Sequence, residues 1–323
     1  MLSSTIEDKG GIEGLAANMR YKIVDMIAIA VSTVLIVSCQ NSSLEIRPVM
    51  DEKTKPDIRP RRIVSLDFCA DQYVLKFVEP SRILALSPDA AKPFSYMREN
   101  AKGLKTVRPH AEDVLALEPD LVVRSYGGGP QAERFFQAAG VEVLNVGWAG
   151  DMDGIMRVSR EMAEGLHAPD KGRVLVSEIE RRLEAVKSKI GGDVRPKALY
   201  LTPSGVTSGA GSYVDALLLA SGLQNFEARS GWRAIPLERL TMERPDMVVA
   251  GFFDSLSYQK DAWSAMRHPL ARAQMTDLPT VSVKGSWMSC GAWFALDAIE
   301  AMAQGKTDVI EGDVDEKADN AGL

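Results

Sequence analysis

The sequence predicts an α/β fold of two similar lobes, each a mostly parallel sheet covered by helices, joined by one long rigid helix. Three observations predict this fold. Short apolar strands alternate with helical segments in both halves of the chain, as in parallel sheets covered on both faces. A helix–turn–strand unit occurs twice, as "AEDVLALEPDLVVRS" and "PLERLTMERPDMVVAG". One long amphipathic segment separates the two halves.

The first lobe is predicted over residues 61–168. Its strands are expected at 62–66, 83–86, 120–124 and 142–146, and its helices at 69–78 and 130–140. Pro130 in the first turn and Gly140 at the end bound the second of these helices.

The connecting helix is predicted over residues 169–192. Its apolar residues recur every three or four positions, and Pro169 and Gly191 bound it. The second lobe follows over residues 193–305. Its strands are expected at 197–201, 246–250 and 280–283, and its helices at 212–222 and 290–305. A single long helix is a stiff connector, so we expect the lobes to rock slightly and not to hinge widely.

The composition excludes several function classes. The 323 residues are 46% hydrophobic and 25% charged, which is ordinary for a globular protein of about two domains. The net charge of −6, without a Lys/Arg-rich run, argues against nucleic-acid binding. Histidine occurs only at 110, 167 and 268, which argues against a histidine-rich metal site. We expect no metal site and no cofactor.

Residues 1–38 have the features of a secretory signal peptide, with Met19 as an alternative start. A basic start precedes an apolar run that is short for a membrane span, and small residues lead to Cys39. The "IVSC" ending resembles a bacterial lipobox, which predicts a lipid on Cys39; the alternatives are an uncleaved signal anchor and a buried helix. Residues 39–60 read as a flexible tether, and residues 306–323 as a disordered acidic tail.

Several segments together resemble the helix-linked periplasmic substrate-binding proteins that supply ABC importers with cobalamin, ferric siderophores or haem. The matching segments are "RIVSL", "AEDVLALEPDLVV", "TSGAGSYVDALLLASGLQN", "PLERLTMERPDMVV" and the central helix, within residues 61–305. The resemblance implies a ligand cleft between the lobes. It also implies that Glu112 and Glu238, each seven residues before the proline of its repeat, dock on permease arginines.

Ligand-binding residues are expected in the loops that follow the strands, because open α/β sheets bind ligands beyond the carboxyl ends of their strands. Aromatic residues in such loops favour a flat or bulky ligand, although each alone is as consistent with capping the core. The expected ligand-binding residues are Asp67, Cys69, Arg124, Tyr126, Trp148, Ser208, Trp232, Phe252, Trp287 and Cys290. Four arginines near these loops (Arg108, Arg124, Arg229 and Arg233) are candidates for anionic ligand groups or for solvated surface charge.

Cys69 and Cys290 fall in predicted cleft loops of opposite lobes. Three interpretations stay open: two separate buried thiols, a disulfide that the periplasm permits, or coordination of a soft metal or haem iron. A disulfide requires their Cα atoms to lie within about 7 Å.

These observations predict a lipid-anchored periplasmic binding protein of an ABC importer, monomeric and held at the membrane by its lipid alone. Its partners would be the permease and a bulky metal chelate, namely a corrinoid, a ferric siderophore or haem. No catalytic motif occurs, so an enzyme is not expected. The alternatives are a chelatase-like enzyme that uses the same cleft, and a scaffold without a ligand.

Overall fold

The computed structural model describes residues 59–254 and 264–321. The predicted signal peptide, Cys39 and all but the last two residues of the predicted tether lie outside the described residues. All described residues belong to one compact unit, Pro56–Leu323.

The first lobe contains a parallel sheet and its covering helices. Its strands are β1 (Ile63–Ser65), β2 (Ile83–Ala85), β3 (Leu121–Arg124) and β4 (Glu142–Asn145). Its helices are α1 (Phe68–Phe77), α2 (Ala111–Leu115), α3 (Ala132–Ala138) and α4 (Met152–Gly165), with a 3-10 turn at Pro80–Arg82. The connecting helix α5 (Pro169–Ile190) follows.

The second lobe repeats this plan and adds a small antiparallel sheet. Its strands are β5 (Lys197–Leu201), β6 (Val206–Ser208), β7 (Gln224–Asn225), β8 (Trp232–Ala234), β9 (Met247–Gly251) and β10 (Thr280–Val283). Its helices are α6 (Tyr213–Ala220), α7 (Leu237–Leu240), α8 (Pro269–Asp277), α9 (Gly285–Met288) and α10 (Ala295–Ala321), with a 3-10 turn at Ala265–Arg267.

The two parallel sheets have equivalent strand orders. The first sheet is ordered β2-β1-β3-β4 and the second β7-β5-β9-β10, so the first strand of each lobe lies beside the strand that ends the repeated unit. The predicted fold class, two similar lobes with mostly parallel sheets, is therefore confirmed. In such sheets a ligand binds where the strand order reverses, beyond the ends of β1 and β3 and of β5 and β9.

Local sequence signals explain the main helices. Asp67 caps the start of α1 by accepting a hydrogen bond from the N–H of Ala70. Ser212 caps α6 in the same way, through the N–H of Asp215. Pro169 occupies the first turn of α5, where its missing N–H costs nothing.

The largest apolar cluster is shared by both lobes. It contains residues of α1 and β3 from the first lobe, residues of β5 and α6 from the second, and the start of α10. Because one core spans both lobes, their relative position is fixed by packing as well as by the connecting helix.

The segment 306–323 differs from the sequence expectation, because α10 continues through it to Ala321. Lys306 explains the beginning of this extension. Its side chain is buried, and its ammonium group donates a hydrogen bond of 2.7 Å to the carbonyl of Ile190, in the last turn of α5. A cation is stabilised at a helix C-terminus, so this contact fixes the first turn of the expected tail.

Candidate functional site

A cavity of about 390 Å³ lies between the lobes, within the size range of small-molecule sites. The first lobe contributes Phe68 and Phe94 to it. Among the described residues, its remaining lining is Tyr200, Tyr213, Val214, Trp232, Phe252, Met288 and Ser289. The lining is mostly aromatic, so the cavity offers a broad apolar surface to a ligand.

The aromatic rings of the cavity form one edge-to-face group in each lobe. In the first lobe, the ring of Phe68 lies 5.0 Å from that of Phe94, measured between centroids. It also lies 6.1 Å from the ring of Tyr126, an expected ligand residue that does not belong to the described lining. In the second lobe, the rings of Tyr200 and Trp232 lie 6.1 Å apart. Tyr126 is 55% exposed and Trp232 is 60% exposed, so both rings are open to contact.

Three hydroxyl groups belong to the cavity lining, and two of them are bonded to the backbone. The Tyr213 hydroxyl donates to the carbonyl of Cys290 at 3.2 Å, and that of Ser289 donates to the carbonyl of Phe94 at 2.9 Å. The Tyr200 hydroxyl has no hydrogen-bond partner among the described protein atoms, although the residue is 0% exposed. Burial raises the pKa of Tyr200, so its hydroxyl is a neutral donor at physiological pH.

Cys69 and Cys290 form a disulfide between the lobes, with their Cα atoms 5.8 Å apart. Of the three interpretations of these cysteines, the structure therefore corresponds to the disulfide. Coordination of a metal by their thiolates is incompatible with this bond, because the thiolate is the form that binds metals. The bond lies beside the cavity, since Phe68 and Ser289 are the neighbours of the two cysteines in the chain.

The segment between α9 and α10 joins the lobes a second time, in addition to α5. The Tyr73 hydroxyl donates to the carbonyl of Gly291 at 3.4 Å, and the Tyr96 hydroxyl donates to Asp297 at 2.9 Å. The rings of Tyr96 and Phe294 stack at 4.5 Å. Burial and the neighbouring Asp297 raise the pKa of Tyr96 to about 12. These contacts hold the side of the cavity next to the disulfide.

Asp67 organises the loops of the first lobe at the point where the strand order reverses. One carboxylate oxygen accepts hydrogen bonds from the N–H groups of Ser125, Tyr126 and Gly127, at 2.7–3.0 Å. The other oxygen caps α1, and the residue is 3% exposed. The expected ligand residue Asp67 thus connects the β1 loop to the β3 loop, with both oxygens already bonded.

The four candidate arginines are engaged in contacts with the protein. Arg124 is largely buried and donates to the carbonyls of Gly127 and Gly129 and to the side chain of Asn145. The ion pairs and hydrogen bonds of the other three are Arg108 with Asp113, Arg229 with Glu227, and Arg233 with the carbonyl of Ser230.

The remaining expected ligand residues fall into two groups. Trp232 and Phe252 line the cavity, and Phe252 has a φ of 67°, a backbone conformation uncommon for a bulky residue and typical of functional sites. Trp148, Ser208 and Trp287 do not belong to the described lining. Trp148 is 81% exposed, and Ser208 is buried on β6, paired with Trp232 of β8. Trp287 packs against the shared core beneath the ammonium group of Lys284.

Several lining residues were not predicted as ligand contacts. Tyr200 lies inside the apolar run of β5, where its pattern is that of a core residue. Phe94 lies in the long loop after the predicted strand at 83–86, and no residue of that loop was among the expected ligand contacts. Tyr213 is the one with a sequence signal. It lies in the first turn of α6, at the end of the glycine-containing segment that follows the predicted strand at 197–201, and ligands of such sheets bind beyond the carboxyl ends of the strands.

Glu112 and Glu238 occupy equivalent positions in the two lobes. Each is exposed in the first turn of a short helix, α2 or α7, and each helix leads through a Pro-Asp turn into a central strand. No ion pair involves either carboxylate within the residues that the structure describes.

No described helix is long and apolar enough to cross a membrane. The described residues also contain no group of three or more His, Cys, Asp or Glu side chains arranged to hold a metal ion.

The fold is that of a two-lobed α/β protein with an aromatic cavity between its lobes. The sequence model of the periplasmic binding proteins matches residues 82–267, more than half of the chain. The chain belongs to the periplasmic binding protein family.

Comparison with individual proteins gives the same fold. A cobalamin-binding protein of Halobacterium salinarum is 22% identical over 202 residues, which are 60% of this chain and 55% of that protein. The chain thus spans about half the length of that relative. The periplasmic heme-binding protein RhuT of Roseiflexus sp. RS-1 superposes with a TM-score of 0.64 and 20% identity, over 77% of this chain and 98% of RhuT. A periplasmic heme-binding protein of Pseudomonas aeruginosa superposes with a TM-score of 0.62 and 20% identity, over 76% and 91%.

Proposed function

We propose that the protein captures a bulky metal chelate in the interlobe cavity and delivers it to the permease of an ABC importer. The observation that carries this proposal is the aromatic cavity between two lobes of the same strand order, at the carboxyl ends of their sheets. Large flat ligands gain most from such a surface, because aromatic side chains supply apolar area with defined stacking geometry.

The names of the relatives support a chelate as the ligand class. One relative is described as cobalamin-binding and two structural neighbours as heme-binding. Cobalamin and haem share a metal held in a large planar macrocycle, which suits an aromatic cleft.

Capture without catalysis is the mechanism we propose. A chelatase-like enzyme would need a side chain that withdraws or inserts the metal, and Cys69 and Cys290 were the candidates for it. Their disulfide leaves neither thiolate free for that chemistry.

Delivery is proposed to use one glutamate from each lobe, Glu112 and Glu238. A helix that precedes a parallel strand runs antiparallel to it, so the first turn of such a helix lies near the carboxyl end of the strand. Both acids would then flank the cavity mouth. Two separated charged contacts would fix the orientation of the protein on the permease as well as contribute affinity.

The location we propose is the periplasm, with a lipid on Cys39 as the membrane anchor. The lipobox-like ending and the polar segment that follows support this proposal.

Native mass spectrometry tests the proposed ligand class. Protein purified from its own cell envelope, and the same protein incubated with cyanocobalamin, haemin or a ferric siderophore, should carry one chelate per chain. Phe68→Ala should lose this adduct, whereas Phe135→Ala, which removes an exposed ring outside the cavity, should keep it. Protein that retains none of these chelates in any preparation would contradict the proposal.

A further inference from the structure

We infer that the exposed ring of Trp148, together with the carboxylates of Asp151 and Asp153, receives a cationic side chain from the permease. This inference rests on the proposed function and deepens it, because it adds an aromatic contact to the docking proposed for Glu112 and Glu238. It follows from the exposure of the ring, from the loop that presents it, from the charges beside it and from the equivalent position in the second lobe.

The Trp148 ring is open to solvent, since 81% of the residue is exposed. Tryptophan side chains are highly buried on average, so exposure of this extent is unusual. The ring also lies outside the described lining of the cavity. Tryptophan is enriched among the residues that contribute most to protein–protein binding. A second protein is therefore a more suitable partner for this ring than the ligand of the cavity.

The loop that presents the ring is held in place from both lobes. Arg157 donates a hydrogen bond of 2.8 Å to the carbonyl of Trp148. The next residue, Ala149, is buried against α4 and against the second lobe. A Cβ on Gly154 would lie 3.1 Å from its Cα, and a Cβ on Gly291 would lie 2.6 Å from its carbonyl oxygen. A large aromatic side chain on such a fixed backbone loses little conformational entropy when a partner binds.

The second lobe has a tryptophan at the equivalent position, and it carries its own cation. The strands β4 and β10 occupy equivalent places in their sheets, and Trp148 and Trp287 follow them shortly afterwards in the chain. The ammonium group of Lys284 lies 5.1 Å from the centroid of the Trp287 ring. Among the described residues, no cation lies over the ring of Trp148. The first lobe thus leaves open the place that Lys284 fills in the second.

The charges beside Trp148 favour a cation in that place. Asp151 and Asp153, at the start of α4, are exposed, and neither forms an ion pair with a described residue. One oxygen of Asp151 caps α4 through the N–H of Gly154, and its other oxygen is not used by the cap. A Cβ on Gly150 would lie 3.4 Å from the indole nitrogen, so the ring lies next to this acidic end of the helix.

Arg157, the cation of α4 that touches the loop, is committed to the protein itself. It pairs with Glu161 at 3.1 Å and donates to the backbone of Trp148. An arginine or lysine of a partner could stack on the open ring and approach the two free carboxylates at the same time. Such a contact gains strength when the partner excludes water from it.

The position of Trp148 makes the permease the partner that we propose. The loop of Trp148 follows the carboxyl end of β4, and β4 is the parallel neighbour of β3, so the loops after the two strands lie side by side. The β3 loop in turn touches the segment before α2, where a Cβ on Gly128 would lie 3.5 Å from the carbonyl oxygen of Pro109. Glu112 lies in the first turn of α2. One permease surface could therefore contact both Glu112 and Trp148.

Site-specific photo-crosslinking in cells tests the inference with the full chain. The photoreactive amino acid p-benzoylphenylalanine, placed in the position of Trp148, should form an adduct with an integral membrane protein. The crosslinked peptide of that protein should contain an arginine or a lysine. The same amino acid in the position of Phe135, an exposed ring of α3, is the control and should give no such adduct. Placed at Glu112 and at Glu238, it tests the proposed docking separately.

Binding of purified variants to the membrane protein identified in this way measures the contribution of the site. Trp148→Ala and Asp153→Asn should each weaken that binding by about five-fold or more, the scale of one desolvated contact between a cation and a ring. Phe135→Ala should leave it unchanged. Trp148→Ala should also keep the chelate affinity and the melting temperature of the wild-type protein, because its ring lies outside the cavity and packs against no core cluster.

The crosslinks separate failure of this inference from failure of the proposed docking. Adducts from positions 112 and 238 without one from 148 would leave the docking in place and show the inference to be wrong. Absence of a membrane-protein adduct from all three positions would contradict both. An adduct between two copies of this chain, or a Trp148→Ala variant that loses chelate affinity and keeps its binding to the membrane protein, would assign the ring to another contact and overturn the inference.

Discussion

Cys69, in the first helix of the first lobe, is bonded to Cys290, which precedes the last helix of the second lobe. The two residues are separated by 221 positions, so the bond closes a loop that contains most of both lobes. Loop closure of this length strongly restricts the unfolded chain. Around the bond, hydrogen bonds and stacked rings hold the same junction, so the disulfide and the packing act at one place.

Replacing both cysteines, as Cys69→Ser with Cys290→Ser, should lower the free energy of unfolding by about 2–5 kcal/mol. The protein should still fold, because the shared core and the contacts of Tyr73 and Tyr96 remain. Urea unfolding of the oxidised wild-type protein, the reduced wild-type protein and the double variant measures the effect. The reduced protein is the control and should resemble the variant. Equal midpoints for all three would show that the bond does not contribute to stability.

Trp232→Ala should lower affinity for a bound chelate by roughly 10-fold to 100-fold, the loss of about 1–3 kcal/mol of aromatic contact. The Trp232 side chain is exposed at the cavity edge, so the melting temperature of the Trp232→Ala variant should be close to that of the wild-type protein. Trp287→Ala is the matched comparison. Its ring packs against the core, so this variant should lose stability instead. Chelate titration followed by tryptophan fluorescence, with thermal melting of both variants, separates the two roles; the reverse pattern would contradict the assignment of the cavity.

The contrast between these two tryptophans shows what the sequence could predict. The order of the elements was predictable, because apolar runs, prolines and glycines bound them locally; β10, for example, coincides with the predicted strand at 280–283. The direction in which single side chains of the loops point was not predictable from the sequence. Trp287 and Trp232 both lie in polar surroundings in the sequence, but only tertiary packing determines which ring faces the cavity.

Asp67 illustrates the same limit for polar residues. An acid directly after the first strand has the sequence pattern of a ligand residue. Its three N–H partners lie about 58–60 positions later in the chain, and no local pattern connects them to it. The same holds for β6 and β8, the two short strands of the small sheet that carries Trp232. Glycine and polar residues flank both strands in the sequence, so this part of the chain has the pattern of a loop.

The stability of the protein should depend on pH through Asp71. The residue is buried, and burial raises the pKa of its carboxyl to about 6, although Ser87 donates two hydrogen bonds to it. The folded state therefore holds the proton more tightly than the unfolded chain, whose aspartates titrate near about 4. This contribution to stability is fully present below about pH 4 and is lost as the pH rises through about 6.

Asp71→Asn removes this titration, so the variant should gain stability relative to the wild-type protein between about pH 4 and pH 7.5, by at most about 3 kcal/mol. Urea unfolding at four pH values across this range measures the difference. Asp193→Asn, an exposed aspartate in the turn after α5, is the control and should follow the wild-type curve. Parallel curves for Asp71→Asn and the wild-type protein would show that Asp71 titrates normally.

The anchoring proposal predicts the behaviour of Cys39→Ser. Without the cysteine no lipid is attached, and the protein should move from the membrane fraction to the soluble fraction of the cell envelope. Fractionation followed by immunodetection measures the change, and metabolic labelling with a fatty acid should mark the wild-type protein alone. Unchanged membrane association of the variant would instead support a retained signal anchor.

The last prediction concerns the two repeated helix–strand units and their acids. Glu112→Ala with Glu238→Ala should leave chelate affinity and melting temperature nearly unchanged, because both side chains are exposed and each exposed ionic contact is worth under about 1 kcal/mol to stability. ATPase stimulation of the reconstituted importer, and uptake into cells, should fall sharply, because the charges would be desolvated only when the permease covers them. Glu142→Ala with Asp277→Ala is the matched control, because it also removes one exposed acid from each lobe. These two acids lie at the amino ends of β4 and β10, whereas Glu112 and Glu238 are proposed to lie near the carboxyl ends of their strands. If the acids serve only the helix dipole, the first double variant would lose stability and keep transport, and normal uptake would exclude them as docking residues.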